Sequence, residues 1–174
     1  LINNTLGTLT LALLSLTTLV LLFTPIFVMI FAPGFYNEPL KKELAEDILQ
    51  ITFPYLFFVS LVAFSGSILN SYQKFSLPAL TPLFYNLILI IAAIWFAPKI
   101  EAPIYAIAWG VFFAGIIQFL IQIPSLVRLG LLPRFKFNMH HPGVRKVMFL
   151  VIPGVIAGGI SQINMLVDTI LASF

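Results

Sequence analysis

The stretch IYAIAWGVFFAGIIQFLIQIP, residues 104–124, contains no charged side chain. A helix rises about 1.5 Å per residue, so about 20 apolar residues are enough to cross a hydrocarbon core of about 30 Å. The stretch does not alternate polar and apolar residues, as the strands of a membrane barrel would. It therefore predicts a transmembrane helix.

Four further uncharged runs share this character and are separated by short polar breaks. They span residues 6–31, 48–69, 80–97 and 147–167, and the last continues past Asp168. The whole chain is 60% hydrophobic and only 9% charged, with a mean hydropathy of +1.08. Soluble domains average about 25% charged residues. We therefore predict an all-α, polytopic transmembrane helix bundle with five transmembrane helices, and we expect the chain to be a fragment of a larger protein.

The loops between the runs differ in charge. The first and third loops mix bases with acids, whereas the second and fourth contain bases alone. Those bases are Lys74, Arg128, Arg134, Lys136, Arg145 and Lys146. Because basic residues are retained on the cytoplasmic side, the second and fourth loops are predicted to lie inside. We interpret the basic fourth loop as an interfacial segment that meets anionic head groups, and not as a nucleic-acid site.

Polar side chains within the runs recur at spacings of three and four, which places them on single helical faces. One stripe is Gly115, Gln118, Gln122 and Ser125, and another is Gly154, Gly158, Ser161, Asn164 and Asp168. Such stripes indicate either close helix packing or the wall of a hydrated cavity. The candidates for a substrate cavity are Asn70, Asn86, Gln118, Gln122, Ser161 and Asn164.

Helix-breaking residues also lie within the runs. Pro25, Pro54 and Pro82 interrupt the first three, and membrane bundles tolerate such prolines because neighbouring groups satisfy the freed carbonyls. Gly and Pro are also simply frequent in membrane helices. In the last run we predict a functional bend, with Pro153, Gly154, Gly158 and Gly159 as hinge candidates.

Asp168 is the only charged residue in the apolar run after Lys146. A charge at a bilayer centre costs at least about 2.5 kcal/mol, so such a residue usually has a partner, a water path or a function. Phosphate-binding loops, HExxH and GxSxG are absent from the sequence, so we expect a protein that is not an enzyme and has no cofactor.

Three stretches together carry a family resemblance. They are FAPGF (31–35), ITFPYLFFVSLVAFSGSILNSYQKFSLPALTPLFYN (51–86) and QIPSLVRLGLLPRFKF (122–137). With their order and loop lengths, the chain resembles the MurJ (MviN) family of bacterial lipid II flippases, within the multidrug/oligosaccharidyl-lipid/polysaccharide exporter superfamily. The resemblance covers essentially the whole chain.

The resemblance implies helices three to seven of a fourteen-helix transporter with two lobes. Residues 1–125 would form the later part of the first lobe, residues 126–146 a basic cytoplasmic linker, and residues 147–174 the first helix of the second lobe. The missing helices of the full-length protein would be the partners of this piece. Their cavity arginines would bind the pyrophosphate of the substrate.

The implied function is movement of undecaprenyl-pyrophosphate-linked muropeptide, lipid II, from the inner to the outer leaflet of the bacterial inner membrane by alternating access, for cell-wall synthesis. The alternatives are another lipid-linked glycan or drug exporter of the superfamily, and a non-transporting membrane scaffold. By the same resemblance, Asp168 is a candidate Na⁺ or H⁺ site. Two other roles of Asp168 stay open. One is hydration at the membrane interface without a further function, and the other is a structural pair with a missing helix.

Overall fold

The computed structural model describes residues 2–131, together with residues 149, 162 and 165–172. Every regular element in these residues is helical, which confirms the predicted all-α class. The α-helices of the continuous part are α1 (Ile2–Leu22), α2 (Thr24–Phe31), α3 (Pro39–Thr52), α4 (Tyr55–Ser71), α5 (Ser76–Ile91) and α6 (Pro103–Arg128). Short 3₁₀ turns follow at Pro33–Asn37 and Ala97–Lys99, with a π-helical turn at Ala92–Phe96.

Four helical segments of the described residues are long and apolar enough to cross a membrane. They are Asn4–Leu22, Pro39–Ser71, Ser76–Lys99 and Pro103–Arg128, and they correspond to the first four predicted spans. Most of the fifth predicted span lies outside the described residues, as do the hinge candidates Pro153, Gly154, Gly158 and Gly159. The predicted division into lobes and linker stays a prediction, because most of residues 126–146 also lie outside them.

The second span begins earlier than its uncharged run. Helix α3 starts at Pro39, so the charged residues that follow it lie on the helix and not in a loop. Lys41 Nζ lies 2.8 Å from Glu38 Oε2, and Lys42 Nζ lies 3.7 Å from Glu46 Oε1. The predicted boundary at residue 48 was therefore wrong: charge ends the apolar run without ending the helix.

Two of the three prolines in the first three predicted spans interrupt the helix. Helix α1 ends at Leu22 and α2 begins at Thr24, with Pro25 in its first turn, while Pro54 separates α3 from α4. Proline has no N–H to donate to the preceding turn, so a helix ends or bends there. Pro82 instead stays inside α5, which runs unbroken from Ser76 to Ile91.

Helix α6 makes the most extensive contacts of the bundle, first with α4 and then with α5, whereas α1 packs against α4 and α2 against α3. Glycines permit its closest approaches. A Cβ on Gly110 would lie 2.8 Å from Ala92 Cβ, and a Cβ on Gly115 would lie 2.8 Å from Tyr55 Cδ2. Small residues at membrane helix interfaces let backbones approach in this way.

Helices α4 and α6 end side by side with the same cap. Gln73 (φ 60°) and Gly130 (φ 66°) adopt left-handed conformations. The next N–H in each case donates five residues back, from Lys74 to Leu69 O (2.9 Å) and from Leu131 to Leu126 O (3.0 Å), as in a Schellman motif. Leu69 and Leu126 share one buried cluster. Lys74 and Arg128, which adjoin these caps, therefore lie at one end of the bundle, as the loop charges predict.

Candidate functional site

A groove lies between α4 and α5, with α6 as its floor. Both helices pack against α6 but contact each other much less, so they diverge above it. The groove has a volume of about 490 Å³. Its lining residues on α4 are Tyr55, Val59, Val62, Ala63, Gly66, Ser67 and Asn70; on α5 they are Pro78, Thr81, Pro82, Tyr85 and Asn86; and on α6 they are Gln118 and Gln122.

Four of the six predicted cavity residues meet in this groove. Asn70 and Asn86 are exposed, from α4 and α5, and Gln118 and Gln122 are buried at the floor. The other two, Ser161 and Asn164, lie outside the described residues. The helical spacing of the α6 stripe therefore identified side chains that share a cavity wall. Their role toward a substrate stays a prediction.

The two floor glutamines hold α6 against α5. Gln118 is 4% exposed and Gln122 is 1% exposed. Gln118 Nε2 donates to Thr81 O at 3.0 Å, and Gln122 Nε2 donates to Thr81 Oγ1 at 3.2 Å. The Thr81 hydroxyl in turn donates to Leu77 O at 3.1 Å. This network joins the two helices at the residue that precedes Pro82.

These hydrogen bonds fix which end of each amide faces α5. A carbonyl can only accept, so Gln118 must present Nε2 to Thr81 O. The Thr81 hydroxyl donates its proton to Leu77 O, so its oxygen accepts a hydrogen bond from Gln122 Nε2. The Oε1 atoms of both glutamines are buried and find no donor among the described residues. A buried acceptor left unpaired costs about 1–3 kcal/mol, so the floor holds two acceptors that lack donors.

The rim of the groove is aromatic and neutral. The rings of Tyr55 and Tyr85 lie with centroids 5.6 Å apart and planes inclined by 45°. All of the lining residues carry uncharged side chains. Amide, hydroxyl and aromatic groups of this kind bind neutral hydrogen-bonding ligands, and a single charged ion would find no counter-charge among them.

Asp168 is not among the residues that line the groove. It is exposed, within the helical residues 165–172. The described residues contain no group of three or more His, Asp or Glu side chains that could hold a metal ion. The candidate Na⁺ or H⁺ site at Asp168 therefore stays a prediction.

Sequence reasoning missed several residues of the site. These residues are Thr81, Tyr55 and Tyr85, which line the groove. Thr81 accepts a hydrogen bond from each of the two floor glutamines. Thr81 and Tyr85 are four residues apart on α5, so a stripe on that helix was a usable signal. The hydrogen bond from the Tyr105 hydroxyl to Asp47 Oδ2 (2.7 Å), which joins α3 to α6, had no comparable signal in the sequence.

Four helical segments of spanning length and apolar composition in the described residues are those of a multi-pass membrane protein. The family model described as lipid II flippase MurJ matches residues 1–174, and the chain belongs to that family. The resemblance drawn from the sequence is thereby confirmed.

Named relatives agree with this assignment. The chain is 46% identical over 134 residues to a probable lipid II flippase MurJ of Vibrio cholerae, covering 77% of this chain and 26% of the relative. It is 39% identical over 165 residues to that of Haemophilus influenzae, covering 91% and 32%. A lipid II flippase MurJ of Burkholderia cenocepacia is 36% identical over 146 residues, covering 82% and 28%. The chain spans about a third of the length of these relatives or less.

Proposed function

We propose that this chain forms part of a lipid II flippase, which moves undecaprenyl-pyrophosphate-linked muropeptide from the inner to the outer leaflet by alternating access. The family match over residues 1–174 carries the proposal. The groove supports it, because neutral polar side chains inside an apolar bundle offer a hydrophilic head group a surface that lipid does not.

The proposed location is the bacterial inner membrane, with the end that bears Lys74 and Arg128 on the cytoplasmic side. The basic residues at that end would meet anionic head groups, at about 1 kcal/mol for each base near the surface. Transport of this kind breaks no covalent bond in the substrate, so the protein would not be an enzyme.

Asp168 is proposed as the site of a coupling cation, Na⁺ or H⁺, completed by helices of the full-length protein. A carboxylate suits hard cations but does not by itself select between these two. In the full-length protein, Asp168→Asn should abolish the dependence of transport on sodium or pH. Transport with unchanged ion dependence would refute this role.

Depletion of the full-length protein tests the main proposal. Lipid II should then accumulate in the inner leaflet, and re-expression should clear it. Accumulation of a different lipid-linked glycan would favour another exporter of the same superfamily. Loss of cell-wall synthesis with every precursor distributed normally would favour a scaffold that docks partners through its basic loop.

A further inference from the structure

We propose that the exposed face of α4, formed by Ala63, Ser67, Asn70 and Ser71, is the docking surface for another transmembrane helix of the full-length protein, from outside residues 1–174. Docking of this kind concerns helix packing and does not depend on the proposed transport function. The composition of the face, the hydrogen bonds of its hydroxyl groups and its lack of charge support it.

The exposed residues of α4 are all small or polar. Every residue of this helix is described, and these four are its exposed ones. Ala63, Ser67 and Asn70 follow one another at spacings of four and three, so they share one side of the helix, and all three line the groove. Membrane helices contact each other through small and polar residues of this kind.

A second exposed face, on α5, has the opposite composition. Leu83, Leu87 and Ile90 also recur at spacings of four and three, and each is at least 50% exposed. None of the three lines the groove. Lipid tails are as apolar as leucine, so large aliphatic side chains suit contact with lipid. The two faces therefore fit different surroundings, lipid at α5 and a helix at α4.

The polar groups on the α4 face fit a dry interface between helices. Ser67 Oγ donates to Phe64 O at 2.7 Å, and Ser71 Oγ donates to Ser67 O at 2.9 Å. Because each hydroxyl donates within its own helix, it needs no water when another helix covers it. The exposed Asn70 amide can both donate and accept, so we expect the docked helix to bring a polar side chain to it.

The lack of charge limits which helix can dock. The face and the groove beside it contain uncharged side chains only, so a charge on the docked helix would find no counter-charge there. The last apolar run of this chain has Asp168 on its polar stripe and is therefore poorly suited. The chain covers 32% or less of the three relatives named above, so most of a full-length protein is left to supply the helix.

Docking at this face would also enclose the groove. The face extends from Ala63 to Ser71, which is about 12 Å or two helical turns. A helix seated along it would cover the α4 side of the groove. The groove would then lie inside the full-length protein and not at its surface toward lipid.

Site-specific photo-crosslinking of the full-length protein in native membranes tests the docking surface. An amino acid with a photoreactive diazirine side chain replaces Ser67. In the matched control it replaces Leu87, which is exposed on α5 outside the groove. Irradiation joins the diazirine to the group it touches, and mass spectrometry identifies the adduct as a peptide or a lipid.

We expect the probe at position 67 to form adducts predominantly with a peptide from outside residues 1–174, and the probe at position 87 to form adducts predominantly with lipid. Lipid adducts at position 67, or quenching of the probe by water there, would overturn the docking surface. Adducts with residues 147–174 would do the same. Peptide adducts at both positions would show that the two faces do not differ, which also contradicts it.

A second position keeps the test decisive if the larger side chain at position 67 prevents folding. The same probe in place of Asn70 replaces a longer, exposed side chain of the same face, and it should give the same peptide adducts. Failure at this position as well would overturn the docking surface and leave the flippase proposal standing. That proposal is tested separately, by the accumulation of lipid II on depletion.

Discussion

The two halves of α6 meet their neighbours in opposite ways. In the first half, Gly110 and Gly115 bring the helix so close to the π-helical turn and to α4 that a single added Cβ would overlap with them. In the second half, Gln118 and Gln122 hold α5 through side-chain hydrogen bonds and leave a groove above them. One apolar helix thus supports both a close-packed interface and an open groove with two amides on its floor.

The comparison shows how these helices keep a groove open between them. Glycines have no side chain, so the Ala92 and Tyr55 side chains of neighbouring elements lie directly against the backbone of α6. A glutamine side chain is long, and its terminal amide forms hydrogen bonds of about 3 Å to the neighbouring helix. These bonds set the distance between the two helices. Tyr55 lies where the two halves meet: its ring contacts the Gly115 position and also lines the groove. The tight half therefore positions one wall of the open half.

The largest expected effect is overpacking in the first half of α6. In Gly110→Ala the new Cβ meets Ala92 Cβ at 2.8 Å, and a Cβ moves only with its backbone. We expect a loss of about 2–3 kcal/mol, seen as a lower thermal unfolding midpoint of the full-length protein in detergent. Gly115→Ala should cost somewhat less, because the Tyr55 ring at 2.8 Å can rotate and the nearest Cβ, that of Phe58, lies at 3.0 Å instead of 2.8 Å. A midpoint equal to wild type in both variants would show that this interface is not closely packed.

The next effect separates the two floor glutamines. In Gln118→Leu, the Thr81 carbonyl loses its side-chain donor, whereas in Gln122→Leu the Thr81 hydroxyl still donates to Leu77 O. We expect Gln118→Leu to be less stable than Gln122→Leu by about 1 kcal/mol, measured by thermal unfolding in the same detergent. The reverse order would mean that the Gln122–Thr81 bond is the stronger support of the groove.

The sequence predicted the open half of α6 better than the closed half. A stripe at spacings of three and four identified Gln118 and Gln122 because amides stand out in an apolar run. Gly110 gave no such signal, since its role depends on where Ala92 lies, and that distance is set by the packing of two helices. The predicted spans were right in number over the described residues. The start of α3 was missed because charged residues end the apolar run at this point without ending the helix.

An effect of similar size is expected at the caps where α4 and α6 end. The caps share one hydrogen-bonding pattern, yet one has Gln73 and the other Gly130 in the left-handed conformation. Glycine adopts this conformation without the steric cost of a Cβ, so Gln73→Gly should stabilise the protein by about 1 kcal/mol and Gly130→Ala should destabilise it by about 1 kcal/mol. Thermal unfolding of both variants measures this. Shifts of the same sign would indicate that the caps are not equivalent.

The smallest effect on stability is expected at Gly66, which faces the groove. A Cβ there would lie 3.5 Å from Pro78 Cβ and 4.0 Å from Gln122 Nε2, which are ordinary contacts. Gly66→Ala should therefore leave the thermal midpoint unchanged or raise it slightly, by less than about 1 kcal/mol, because alanine favours the helix. Gly66→Ala and Gly115→Ala each add one methyl group to a helix. The difference between their thermal midpoints therefore measures the difference in packing at the two positions. If Gly66→Ala destabilised the protein as much as Gly115→Ala, α4 and α5 would be as closely packed as the first half of α6, and the groove would have to be closed.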